Sequence, residues 1–200
     1  MNLNKEQKSA LIGMILGDGY LQKTGEKNSR LRLEHSLKQK EYLLWKVNLL
    51  PELFQGKPKI LDRIHPITKK TYNYIRHQSN SSPELGKLQK LFYPEGKKKI
   101  PENLSGLMRS DISLAIWYLD DGYYYQRDNS MYLYLGKVSK QEAEIANKTI
   151  SEKFGIQNSI LDKKNKGFVL YFSPKEIHKL KLIVEKYIMP SMAYKLPITP

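Results

Sequence analysis

Leu11-Ile12-Gly13-Met14-Ile15-Leu16-Gly17-Asp18-Gly19 is an apolar run that closes on an acid between two glycines. Leu114-Ala115-Ile116-Trp117-Tyr118-Leu119-Asp120-Asp121-Gly122 has the same form later in the chain. Apolar spacing predicts one helix from about Lys5 to Gly17 and another from Ser110 or Asp111 to Leu119, each stopped at Asp-Gly. Gly13 and Gly17 are four apart and share a helix face. Small residues there let two such helices approach closely and bring Asp18 near Asp121. A carboxylate at a helix C-terminus lies against the negative end of the dipole, at a cost of about 0.3–1 kcal/mol. Asp-Gly is also an ordinary turn signal, but the same unfavourable placement at two equivalent points calls for a compensating charge. A bound cation supplies it, and oxygen ligands suit Mg²⁺.

The segments around these two runs repeat in order. Arg30 to His35 alternates as a strand, Lys38 to Leu50 reads as a helix, and Lys59 to Ile64 and Thr71 to Gln78 read as the strands of a hairpin. Ser82-Pro83-Glu84 opens a further helix. In the second half, Met131 to Val138 reads as a strand, and Ser139 caps a helix to about Phe154, with Gly155 beyond it. Gln157 to Leu161 and Phe168 to Phe172 form a hairpin around Asn165-Lys166-Gly167, and Ser173-Pro174-Lys175 opens a last helix. Letters repeat as well: Lys98-Lys99-Ile100-Pro101 matches Tyr194-Lys195-Leu196-Pro197, and Ser82-Pro83 matches Ser173-Pro174. The chain therefore reads as two related α+β halves, residues 1–101 and 110–200, joined by a linker over 102–109.

With 40% apolar residues among 200, the chain can bury a core, so wholesale disorder is excluded. The absence of cysteine excludes disulfide scaffolds, zinc fingers and thiol nucleophiles. No apolar run reaches the roughly 20 residues of a membrane span, and residues 1–8 look like neither a signal nor a transit peptide. The expected location is intracellular, in an organellar matrix or a prokaryotic cytoplasm. The net charge of +14 and pI of about 9.7 point to a polyanion such as nucleic acid, although 28 lysines against 6 arginines also fit a plain solubilising surface. Residues 1–104 carry ten of the fourteen net charges, so the first half should contribute more of the salt-sensitive affinity.

The two nonapeptides, set in this repeated frame, resemble the paired motifs of LAGLIDADG homing endonucleases in their single-chain form. Leu119-Asp120-Asp121-Gly122, Lys98-Lys99-Ile100-Pro101 and Met192-Ala193-Tyr194-Lys195-Leu196-Pro197 are similar to the monomeric mitochondrial intron enzymes of that family. The resemblance covers nearly the whole chain. It implies two pseudo-symmetric αββαββα halves whose antiparallel sheets form a DNA-binding saddle, with the motif helices at their interface. It also implies hydrolysis of both DNA strands across the minor groove of a long asymmetric double-stranded target, leaving short 3′ overhangs. The catalytic acids fall on Asp18 and Asp121, and Lys98 and Lys195 fall beside the two scissile phosphates. Lys98 lies in a run of three lysines, so a solvated surface charge is the competing reading there. Mg²⁺ is the expected ion, Mn²⁺ is expected to support cleavage, and Ca²⁺ to bind without it. Gly17 and Asp120, each preceding an acid, complete the expected metal set; with Gly17 in the first motif, Asp120 reads as a secondary or structural acid. Ile116 departs from the pattern, since a small residue is common there.

Strand alternation puts Arg30 and Arg32 opposite the core-facing leucines, where they can meet guanine edges. Tyr132 and Tyr134 are placed likewise in the second half. Tyr72, Tyr74, Arg76 and Gln78 share one strand face, though either face of that strand could meet DNA. Gln157, Ser159 and Lys166 are weaker candidates. A monomer follows from two motifs in one chain. The alternatives to a nuclease are an intron RNA-binding maturase and a catalytically inactive DNA-binding regulator; the presence of both acids disfavours the latter.

Overall fold

The computed structural model describes residues 2–197. Helix α1 (Lys5–Leu16) starts at a reciprocal cap: the Asn4 side chain accepts the Gln7 N–H and the Gln7 side chain accepts the Asn4 N–H. From Ser9 onward α1 is buried on all sides, which marks a core helix rather than a surface one. Strands β1 (Tyr20–Lys23) and β2 (Ser29–Ser36) follow, then a 3₁₀ turn over Leu37–Gln39 and helix α2 (Lys40–Leu49). Strands β3 (Lys59–Ile64) and β4 (Thr71–Gln78) have the bounds predicted for the hairpin, and α3 (Pro83–Phe92) is capped by the Ser82 hydroxyl. A single helical turn, α4 (Leu104–Leu107), lies within the stretch read as linker.

The order then repeats as α5 (Asp111–Asp121), β5 (Gly122–Tyr125), β6 (Ser130–Gly136), α6 (Lys140–Phe154), β7 (Ser159–Asp162), β8 (Phe168–Phe172) and α7 (Ile177–Val184). The two sheets have matching antiparallel orders, β1-β2-β4-β3 and β5-β6-β8-β7. This is the predicted α+β architecture of two related halves. Several bounds differ from the sequence reading by a residue or two: a 3₁₀ turn precedes α2, β6 stops at Gly136 short of Val138, and β7 begins at Ser159 rather than Gln157. The short strands β1 and β5 escaped the alternation pattern. The last helix begins at Ile177 rather than at Ser173-Pro174, because the chain first makes a tight turn in which the Ser173 carbonyl accepts the Glu176 N–H (2.9 Å) and the Ile177 N–H (3.2 Å).

Helices α1 and α5 pack against each other at the centre. A Cβ on Gly13 would lie 2.6 Å from the Ser113 carbonyl oxygen and 3.0 Å from Ile116 Cβ. Gly13 thus accommodates the bulkier Ile116, and the close approach expected from the glycine spacing is present. Around this pair a core of both halves closes, with Trp117, Tyr118, Tyr42 and Phe92 among its largest members.

Candidate active site

Both central helices run into acids, and neither carries a basic residue in its last turn. The negative helix ends are met instead by lysines from elsewhere in the chain. Lys98 lies in the segment after α3, and its ammonium donates to the Leu16 carbonyl (3.3 Å) and to that of Gly17. Lys195, in the C-terminal 3₁₀ turn, donates to the carbonyls of Asp120 (3.1 Å) and Gly122 (2.7 Å). The Tyr118 hydroxyl holds the Lys195 carbonyl at 2.9 Å and so fixes that turn against α5. Burial lowers the pKa of both lysines, and the nearby acids oppose the shift.

The acids answer in the opposite sense. Burial, followed by the negative charges of Asp120 and Asp18, pushes Asp121 up to about 7. Asp18 is raised as well, by burial and then by Asp120. Clustered carboxylates that resist ionisation gain from a cation. The donors at the two helix ends are hard oxygens, carboxylate and carbonyl, of the kind that divalent Mg²⁺ or Mn²⁺ takes. The carbonyls of Gly17 and Asp120 already accept ammonium groups, so they face positive charge. The residues present therefore fit a divalent ion.

Asp120 behaves differently from both. Its side chain is fully buried, whereas that of Asp18 is 47% exposed. Lys46 of α2 donates to both its oxygens (2.8 and 3.1 Å), the Tyr42 hydroxyl donates at 2.7 Å, and the Asp18 backbone N–H donates at 3.0 Å. Burial opposes ionisation of Asp120, but Lys46 and these hydrogen bonds outweigh it and hold its pKa below the ordinary value.

Sequence reasoning missed Lys46, Tyr42 and His35. Lys46 falls on the stripe of Tyr42, Leu43 and Val47 that α2 buries; a lysine on an apolar stripe was the available signal. His35 alternates with Leu31 and Leu33 on the core side of β2. Its Nδ1 lies 3.6 Å from Asp18, and potential ligand atoms of Asp18, His35 and Asp120 fall within 4.8 Å of one another. Burial, then the charge of Lys46, drives the His35 pKa down to about 3, so the ring is neutral near pH 7.

The sheets present open faces beside this centre. Register places Gln22 opposite Arg30, Tyr20 and Gln78 opposite Arg32, Arg76 opposite Glu34, and Tyr72 opposite Arg63. Ile75 and His77 face the core. Tyr72, Tyr74, Arg76 and Gln78 therefore share the open face of Arg30 and Arg32, which resolves the choice that alternation left open. The face is organised before any ligand arrives. Glu34 pairs with both Arg63 (2.6 Å) and Arg76 (2.5 Å), and Arg32 and Arg63 stack over Tyr20 and Tyr74. A recess lined by Asp18, Tyr20, Arg32, Glu34 and Tyr74 joins the face to the acid.

In the second sheet, Tyr132 lies opposite Tyr123 and Tyr171, and Ser159 opposite Tyr171, so this open face is tyrosine-rich. Tyr134 sits beside a register shift and is 38% exposed. Lys166 is exposed in the β7–β8 turn. Gln157 precedes β7, outside the ladder, with its N–H committed to Glu176.

Two repeated halves that meet on acid-tipped helices, each with an arginine- or tyrosine-faced antiparallel sheet, describe a DNA endonuclease of the homing class. The chain belongs to the LAGLIDADG DNA endonuclease family, whose sequence model matches residues 8–180. It is 31% identical to "Probable intron-encoded endonuclease 1" of Wickerhamomyces canadensis, over 97% of this chain and 85% of that protein. The homing endonuclease I-WcaI bound to its DNA recognition sequence superposes with a TM-score of 0.89 at 30% identity, covering 100% of this chain and 89% of that one. "Cytochrome b mRNA maturase bI2" of Debaryomyces hansenii is 27% identical over 97% of this chain and 74% of its own length. The chain spans about half the length of the RecA proteins it also matches, 47% in Mycolicibacterium flavescens. Among the described residues, no helix is long and apolar enough to cross a membrane.

Proposed function

We propose that this chain is a homing endonuclease that cuts both strands of a long, asymmetric double-stranded DNA target, leaving short 3′ overhangs. Asp18 and Asp121, with the carbonyls of Gly17 and Asp120, hold divalent ions, Mg²⁺ first, with Mn²⁺ able to replace it and Ca²⁺ bound without turnover. A bound ion supplies Lewis-acid polarisation of the phosphate and a more acidic water. Lys98 and Lys195 orient water and neutralise charge that develops at the phosphate. Arg30, Arg32, Tyr72, Tyr74, Arg76 and Gln78 meet one half-site, and Tyr132, Tyr134 and Ser159 the other, with Lys166 and Gln157 at its margin. The unlike faces demand unlike half-sites, hence an asymmetric target. Both acids come from one chain, residues 1–101 and 110–200 supplying one half each, so the monomer is the working unit.

One observation carries this reading: two acids at matching helix ends, each helix end capped by a lysine ammonium drawn from its own half. The test is cleavage of a randomised duplex library with Mg²⁺, Ca²⁺ or EDTA, followed by sequencing of cut ends. Asp18→Asn and Asp121→Asn should each lower cutting by more than about 100-fold while DNA binding persists. Binding without cutting in every metal rejects the nuclease. The likeness to a cytochrome b mRNA maturase favours a second reading, binding of intron RNA, which a splicing assay with the host intron distinguishes.

A further inference from the structure

The two acid centres are not built alike. Helix α1 ends at Leu16, the Gly17 N–H returns to Gly13 (3.0 Å) and the Gly19 N–H to Met14 (2.7 Å). Asp18 thus stands beyond its helix, and its N–H finds its acceptor in the other half, at Asp120 Oδ2. Helix α5 instead continues through Asp121 and closes with the Gly122 N–H on the Tyr118 carbonyl. The position in the first half equivalent to Asp120 is Gly17, which has no side chain to offer. We infer that the Asp120 side chain, fixed by Lys46 and Tyr42, is a positioning residue for the Asp18 main chain, and that this one-sided brace makes the strand served by Asp18 the first to be cut.

The physical reason is pre-organisation. A carboxylate held by a buried ammonium and a buried phenol has no freedom to follow the backbone; the backbone must follow it. The Asp18 main chain is thereby tied to the other half before DNA binds, whereas the Asp121 main chain is held within its own half, by its helix and by the Lys195 ammonium on the flanking Asp120 and Gly122 carbonyls. Misplacement by about 1 Å at a reacting centre can cost about 100-fold in rate, so the braced centre reaches its working geometry first. A plain solvated ion pair would do none of this, but here both partners are fully buried and belong to different halves.

The inference rests on Asp18 serving one strand, so the experiment has one arm that needs no cleavage. In the metal-free protein, hydrogen exchange at the Asp18 amide is read by NMR for the parent, Lys46→Met/Asp120→Asn and Lys46→Met/Asp120→Leu. Both doubles remove the buried charges together, which protects the fold, but only the asparagine variant keeps an oxygen for the Asp18 N–H. Exchange at Asp18 should quicken by about 10- to 100-fold in the leucine variant, the factor expected for one hydrogen bond to a charged acceptor. It should stay protected in the asparagine variant, and the Gly17 and Gly19 amides should change in neither. Unchanged protection of Asp18 in the leucine variant overturns the positioning role.

In the second arm, nicks on each strand of the selected target are timed. The Asp18 strand is identified as the one that Asp18→Asn leaves intact. The leucine variant should slow that strand by about tenfold or more relative to the other and reverse the order of cutting. Equal slowing of both strands, or a parent that cuts the Asp121 strand first, overturns the ordering. A parent that cuts neither strand overturns the nuclease reading and the ordering, while the exchange arm still judges the brace.

Discussion

A Cβ placed on Gly17 would lie 2.3 Å from Asp120 Oδ2, so the bare glycine leaves the space that the Asp120 carboxylate fills. The two stand at the same step of the two central helices, and the pseudo-symmetry breaks where they meet. Gly17→Ala must displace a carboxylate already held by Lys46 and Tyr42, and Gly13→Ala must displace the Ser113 backbone carbonyl. Each should lower stability by about 1–3 kcal/mol, read as a drop in urea midpoint without a change in slope.

Lys46 offers a sharper contrast. Lys46→Met strands a fully buried carboxylate, and removing one partner of such a pair typically costs about 3–5 kcal/mol. Adding Asp120→Leu takes away the stranded charge and should recover most of that loss. Equilibrium unfolding of the single and double variants checks it; a double variant no more stable than the single contradicts the account.

Asp121 links stability to pH. Its carboxyl ionises at 3.8 in the reference state and at about 7 in the folded chain. Between those values the folded state binds the extra proton, so this group's contribution to stability falls as pH rises through the window. The metal-free protein should lose this contribution from about pH 4 to about pH 7. Asp121→Asn should flatten that trend and exceed the parent in stability at the upper end. Mg²⁺ should stabilise the parent most where Asp121 is ionised. Thermal melts across pH, with and without Mg²⁺, measure all three.

Glu34 restrains two arginines on the open face. Glu34→Gln should release both to phosphate, tighten binding to unrelated duplex at low salt, and steepen the dependence of log affinity on log salt by about two units. Discrimination of the cognate site should narrow. Arg32→Ala should instead cost about 1–3 kcal/mol at one base pair and relax preference there. Salt titrations against cognate and unrelated duplexes separate these outcomes.

The long elements were legible because their periods are long. Helices α1 and α5 show an apolar run ended by Asp-Gly, and β2 alternates cleanly, so bounds came within a residue or two. Strands β1 and β5 have four residues each, and Gly122-Tyr123-Tyr124-Tyr125 gives no apolar–polar contrast to read. The acids and the lysines that meet them lie in motifs and were named from the sequence. The brace behind Asp18 was not, because Lys46 and Asp120 are 74 residues apart in sequence and a helical lysine ordinarily reaches water. Only its place on the stripe that α2 buries marks it as different.

The buried pairing of Lys46 with Asp120 also constrains how such enzymes can be recombined. A chimera that joins this N-terminal half to a C-terminal half lacking an acid at position 120 would inherit an unmatched buried ammonium. The reverse graft would bring a carboxylate with no ammonium to receive it. Retargeting by exchange of halves therefore carries a compatibility rule that the DNA-facing residues do not reveal: positions 46 and 120 travel together, and position 17 must stay small.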